Sequence, residues 1–186
     1  MTLHIKNMVC DRCLMVVRSE LELLGLQLSQ VELGFVETIS EISDAKKNEI
    51  SEKLLSLGFE LINDKKSQLI EKIKILIVDL VRHQNNDIHI NLSEFITNKI
   101  PQDYSTLSHL FSEEVGTTIE KYFILQKIER VKELLDYDEF SLSEIAFQLN
   151  YSSVSYLSNQ FKKITGSTPS EFKKLKNNTR IQLDLL

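Results

Sequence analysis

The chain has 186 residues, of which 42% are hydrophobic and 26% charged, enough for one substantial core or two modest ones. It holds no run of 18 apolar residues to span a membrane, no start resembling a secretion signal, and with two cysteines too few for a disulfide framework, so a cytoplasmic protein with no membrane partner is expected. The net charge of −5 is uneven: residues 1–64 carry 6 Lys+Arg against 11 Asp+Glu, whereas residues 65–186 carry 16 of each.

In chain order, Leu3-His4-Ile5-Lys6 alternates like a strand. Cys13 to Leu24 reads as a helix with Val16, Val17, Leu21 and Leu24 on one side. Val31 to Ile39 gives two short strands around Gly34, Ala45 to Leu57 a second helix, and Phe59 to Ile62 a last strand. Two βαβ units of this size predict an α+β, ferredoxin-like βαββαβ domain over residues 1–64.

Within it stand Met8-Val9-Cys10-Asp11-Arg12-Cys13 and, at the far end, Gly58-Phe59. Together these resemble the heavy-metal-associated domain of copper chaperones and metal pumps. The resemblance implies that Cys10 and Cys13 bind Cu(I) or another soft metal ion as thiolates. The chemistry agrees, because backbone N–H groups at a helix start acidify a thiol and thiolates select Cu(I). Arg12 adds to that effect and Asp11 opposes it. Three readings of the pair stay open at this point: structural cysteines, a metal site, and a thiol redox switch. Structural zinc would need four ligands, and no other cysteine or close histidine cluster supplies them. A thioredoxin-like oxidoreductase is not expected, because the segment has no proline to stand beside the cysteines. His4 is expected on a strand surface, and His83 and His89 as solvated groups flanking a polar turn.

Lys65 to Gln84 forms one amphipathic helix, with Leu69, Ile70, Ile73, Leu76, Ile77, Leu80 and Val81 apolar. It follows the last strand without a Gly/Ser-rich linker. Beyond it the chain repeats itself fifty residues apart. Leu92-Ser93-Glu94 falls on Leu142-Ser143-Glu144, Phe111 on Phe161, Gly116 on Gly166 and Thr118 on Thr168, without a gap. Each copy opens with a capping pair, Asn91 with Glu94 and Ser141 with Glu144. A turn follows, around Ile100-Pro101-Gln102 or Asn150-Tyr151-Ser152, then a second helix ended by glycine. This is the helix-turn-helix pattern.

The second helix of each copy has two faces. Leu107, Leu110 and Phe111, and likewise Val154, Leu157 and Phe161, are placed for a core. Ser105, Ser108 and His109 in one copy, and Ser155, Ser158, Asn159, Lys162 and Lys163 in the other, are the candidate DNA-binding residues. Short polar side chains there can hydrogen-bond base edges in a major groove. From Lys162 to Arg180 six basic residues (Lys162, Lys163, Lys173, Lys174, Lys176, Arg180) stand against Glu171 alone, a local source of phosphate attraction. A helix from Ile119 to Leu135, ~25 Å long at 1.5 Å per residue, joins the two units at a spacing suited to successive grooves. Thr168-Pro169-Ser170-Glu171 starts one further helix.

The run Leu142-Ser143-Glu144-Ile145-Ala146, Tyr151, Ser155-Tyr156-Leu157-Ser158 and Phe161-Lys162-Lys163-Ile164-Thr165-Gly166-Ser167-Thr168-Pro169-Ser170-Glu171-Phe172 resembles the AraC/XylS signature. The resemblance spans roughly residues 67–175. It implies a seven-helix DNA-binding domain whose two recognition helices lie near 104–112 and 154–162. The chain departs from the pattern at Asn150, where glycine is usual, at Lys127, where arginine is usual, and at Val131, Ile96 and Ile100, where smaller residues are usual.

The expected organisation is therefore a ferredoxin-like domain at 1–64, an all-α AraC-type domain with two helix-turn-helix units at 65–176, and a tail at 177–186. The expected function is sequence-specific transcription regulation, with a metal or thiol state sensed by the N-terminal domain. The alternative is a metal-carrying or docking module whose helical half binds a protein. The expected partners are double-stranded DNA and, as an open alternative, a second copy in a homodimer. No catalytic constellation of Ser-His-Asp, phosphate loop or paired carboxylates is present, so no enzyme is expected.

Overall fold

The computed structural model describes residues 1–83, 90–137 and 139–175. The tail at 177–186, Lys176 and Arg180 of the basic run, Gln84 at the end of the expected first helix, and His89 lie outside the described residues. The chain divides into two compact units, Met1–Ile75 and Leu76–Leu186. The division falls inside the helix that was expected to open the second domain.

The first unit contains β1 (Thr2–Lys6), α1 (Asp11–Leu23), β2 (Leu28–Glu32), β3 (Phe35–Thr38), α2 (Asp44–Ser56) and β4 (Glu60–Ile62). The strands form one sheet in the order β2-β3-β1-β4, every neighbouring pair antiparallel. Leu3 pairs with Val36 and Ile5 with Leu61. Alternation sends Leu3, Ile5 and Val36 to one face, where they meet Val17 and Leu21 of α1 and Ile50 and Leu54 of α2. Val17 and Leu21 are one helical turn apart and carry the inner face of α1. Val16, expected beside them, is 40% exposed. The second strand starts at Leu28, ahead of the expected Val31, because a register shift lies between Leu28 and Gln30. That extra residue lets Leu28 and Val31, three apart, both pack against the core. The bulge hides the strand from a period-two reading.

The hairpin between β2 and β3 turns at Gly34, where φ is +86°. A Cβ there would lie 2.5 Å from Ile75 Cδ1. Ile75 belongs to α3 (Lys65–Arg82), whose first turn is capped by Asp64, its Oδ1 accepting the Ser67 N–H at 2.8 Å.

The second unit contains the later residues of α3, then α4 (Leu92–Lys99), α5 (Tyr104–Val115), α6 (Ile119–Tyr137), α7 (Leu142–Gln148), α8 (Val154–Thr165) and α9 (Pro169–Leu175). Its core joins Val81 of α3 and Ile128, Val131, Leu134 and Leu135 of α6 to Ile145, Ala146, Leu149, Leu157, Phe161 and Phe172. The α6 helix is buried beyond its expected apolar stripe: Gln126, Lys127, Glu129, Lys132 and Glu133 are buried too. Packing round a central helix forces this, and paired charges make it tolerable. Lys132 Nζ lies 2.5 Å from Glu129 Oε1, and Glu133 Oε2 accepts from Arg82 at 2.9 Å and Arg130 at 2.7 Å. Gln126 donates to the Tyr122 hydroxyl at 2.9 Å. No described helix is long and apolar enough to cross a membrane.

Candidate nucleic-acid interface and thiol loop

The fifty-residue repeat is a repeat of geometry. Asp103 caps α5 by accepting the Thr106 N–H at 3.1 Å, and Ser153 caps α8 by accepting the Tyr156 N–H at 3.1 Å. Both helices end on a left-handed glycine, Gly116 and Gly166. Thr118 and Thr168 then cap the helices that follow, accepting the Lys121 and Glu171 N–H groups. The Phe111 ring meets Tyr122 edge-on at 5.5 Å, as the Phe161 ring meets Phe172 at 5.5 Å. Along the two helices the alternation of buried, half-buried and exposed residues is the same at every position but one. The exception sets half-buried Ser112 against exposed Lys162.

The candidate DNA-binding residues occupy equivalent places. Ser105 and His109 on α5, and Ser155 and Asn159 on α8, are exposed, while Ser108 and Ser158 are half-buried. Lys162 and Lys163 are exposed in the last turn of α8. Leu107, Phe111, Leu157 and Phe161 are fully buried beneath them, whereas Leu110 and Val154 are only half-buried. Tyr156 is also on the exposed side of α8, at 54% exposure. Its repeat partner Thr106 is polar and exposed, so the repeat register is the sequence signal that this position faces outward.

The two units differ in their turns and their charge. Asn150 takes φ +51°, the left-handed conformation expected of it. Ile100 stays extended at φ −123°, because the following Pro101 disfavours a helical residue before it. Around the second turn, Tyr151 donates from its hydroxyl to Gln160 Oε1 at 2.8 Å. Its repeat counterpart is Pro101, with no hydroxyl to give. The capping box expected in both units is complete at Ser141: its hydroxyl accepts the Glu144 N–H at 3.3 Å and Glu144 accepts the Ser141 N–H at 2.7 Å. At Asn91 the side chain accepts the Glu94 N–H at 2.8 Å and also the Ser93 hydroxyl. In charge, exposed Glu113 of α5 stands where α8 has Lys163. With Lys173 and Lys174 exposed on α9, the positive surface belongs to the second unit.

In the first unit, Cys10 is the N-cap of α1, and its carbonyl accepts the Cys13 N–H at 2.9 Å. Both thiols are free and half-buried, with their Sγ atoms 3.4 Å apart. The expected acidification does not hold at Cys13. Burial pushes that thiol up, nearby backbone hydrogen bonds only partly oppose it, and the Cys10 thiol beside it pushes the same way. Arg12 and Asp11 are both exposed. Met8 is fully buried in the core. His4 lies on β1, its ring 6.5 Å from Phe35, and burial lowers its pKa. Among the described residues no group of three or more His, Cys, Asp or Glu side chains gathers to hold a metal. A half-buried pair of thiols suits a soft monovalent ion and falls short of the four ligands of structural zinc.

Comparison with known proteins agrees with the second unit's geometry. A family described as a helix-turn-helix domain matches residues 99–175. The xylose operon regulatory protein of Escherichia coli K12 is 36% identical over 69 residues, 37% of this chain and 18% of that protein. The arabinose operon regulatory protein of Salmonella typhimurium is 33% identical over 69 residues, 37% of this chain and 25% of that protein. The chain thus spans a quarter or less of the length of these relatives. Among solved structures, the C-terminal domain of AraT, a response regulator from Geobacillus stearothermophilus, aligns with a TM-score of 0.52 at 21% identity, covering 61% of this chain and 89% of that one. Taken with the duplicated caps, helices and glycine stops, the family match makes residues 99–175 a helix-turn-helix domain, similar in sequence to part of these operon regulatory proteins.

Proposed function

We propose that the protein is a sequence-specific DNA-binding transcription regulator. The observation that carries this reading is the repeated exposure of short polar side chains on α5 and α8 over matched buried stripes. Ser105, Ser108 and His109 would read one groove segment, and Ser155, Ser158 and Asn159 the next. Lys162 and Lys163 would hold phosphate, giving the second unit most of the salt-sensitive attraction. The known relatives that share this domain are named as operon regulators. The test is selection of binding sites from random duplex DNA with the full chain, followed by affinity measurements over a salt series. An enriched sequence bound well above random duplex supports the reading; equal binding to all duplexes overturns it.

The first unit's strand order β2-β3-β1-β4 and its βαββαβ sequence of elements support a ferredoxin-like fold of the heavy-metal-associated type. In that reading Cys10 and Cys13 would hold a soft ion such as Cu(I) as thiolates, and the ion would stabilise the deprotonated form of both sulfurs. The residues' own part is to present both thiols at one helix start. The unit would then report a metal or thiol state to the DNA-binding domain.

A further inference from the structure

Glu71 is a carboxylate on α3, in the part of that helix counted with the first unit, and it is 5% exposed. An apolar side chain would be buried there at less cost. Its Oε1 accepts the backbone N–H of Asn7 at 2.8 Å. Asn7 is left-handed, at φ +71°, and donates from its own Nδ2 to the Gly58 carbonyl at 2.9 Å. The next residue, Met8, is locked in the core, and Cys10 follows two positions later. The segment leading into the thiols is thus fastened at three points, and the Glu71 bond ties it to α3. One helical turn further on, Ile75 fills the space beside Gly34 that a side chain there would need. Burial pushes the Glu71 carboxyl up, while the Asn7 N–H and the nearby Lys74 and Lys6 charges pull it down.

We propose that Glu71 is a positioning residue for the Cys10/Cys13 loop, and that α3 feels the state of the two thiols through the Asn7–Glu71 hydrogen bond. This rests on reading the pair as a soft-metal site. Drawing two thiolates onto one ion requires the Cys10 backbone to hold its place. A loop anchored at Asn7 loses less freedom on doing so than a free one. The coupling runs both ways, because whatever steadies the loop for the metal is steadied by the metal in return.

The experiment uses the reduced full-length chain and Cu(I) in competition with a chromophoric chelator, comparing wild type, Glu71→Gln and Glu71→Ala. Wild type should take up one Cu(I). Glu71→Ala should bind it about tenfold more weakly, as expected for loss of an outer-shell partner. Glu71→Gln, whose amide oxygen still accepts the Asn7 N–H, should stay within about threefold of wild type. In wild type, Cu(I) should also shift the amide resonances of Asn7 and of residues around Glu71. Equal affinity in wild type and Glu71→Ala overturns the positioning role while leaving the site intact. No Cu(I) uptake by wild type removes the site and the proposal together. Should Glu71→Ala fail to fold, the resonances decide: unchanged amides at Asn7 and Glu71 on loading wild type overturn the proposal.

Discussion

The Lys127 ammonium lies 3.7 Å from the centroid of the Tyr151 ring, joining the middle of α6 to the turn that introduces α8. The Phe123 ring faces it from 5.6 Å. Lys127 is 7% exposed, and burial brings its pKa down from 10.5 to about 8. An unfolded chain keeps that proton until about pH 10.5. Between pH 8 and 10.5 the unfolded state therefore binds more protons, and the stability contributed by this residue rises with pH. The full span is on the order of 3 kcal/mol, reduced by the attraction of the ring for the charged form. Denaturant unfolding of wild type and Lys127→Met at several pH values from 7 to 9.5 reads this directly. Wild type should gain on the variant as pH rises; a constant difference would mean the lysine stays charged throughout.

In the proposed interface, Asn159 and Lys162 would separate reading from holding. Asn159→Ala should cost about 1–3 kcal/mol at one base position and relax preference there. Lys162→Ala should weaken binding to every sequence alike and flatten the dependence on salt. Site selection and salt titrations distinguish the two. Unchanged selectivity in the combined Ser158→Ala, Asn159→Ala protein would remove α8 as the reader.

The thiol pair makes a prediction about regulation. DNA affinity should differ between reduced apo, Cu(I)-loaded and oxidised protein by about 5- to 150-fold, the usual range of coupling between sites. Cys10→Ser with Cys13→Ser should be fixed in one state and insensitive to copper or oxidant. Affinities for the selected operator at constant salt, agreeing within about twofold across all three states, would show that the loop is not a switch.

At Ser141 the hydroxyl and Glu144 satisfy two helix-end N–H groups reciprocally. Ser141→Ala should cost about 1 kcal/mol, and Ser141→Asp much less because it still accepts the Glu144 N–H. Equilibrium unfolding checks both. Alanine and aspartate variants of equal stability would mean the cap contributes little beyond helix propensity.

The repeated unit was legible in the residues because its marks are local: a cap, a glycine stop, apolar positions in phase. Phe111 and Phe161 could be placed inside from spacing alone, and Asn150 in its left-handed turn from its side chain. What stayed hidden depends on neighbours far along the chain. The bulge at Leu28 breaks the alternation that marks a strand. Glu71 is buried because Asn7 offers it an N–H across the unit, and no feature of α3 announces that. The α6 sequence reads as amphipathic, yet Glu129 and Lys132 are buried because helices surround them and each neutralises the other. For the site, the exposed faces of α5 and α8 could be read from periodicity. The rise in the Cys13 pKa could not, since desolvation of a thiol follows from the assembled surface.

The matched burial of α5 and α8 separates scaffold from message. Each helix seats itself by a leucine and a phenylalanine at the same depth, Leu107 with Phe111 and Leu157 with Phe161, and carries its outward residues on positions that the core does not constrain. Mutational drift can therefore rewrite one half of the proposed composite binding site while the other half and the fold remain as they were. A duplicated segment built this way evolves as two independent alphabets set in a single typeface.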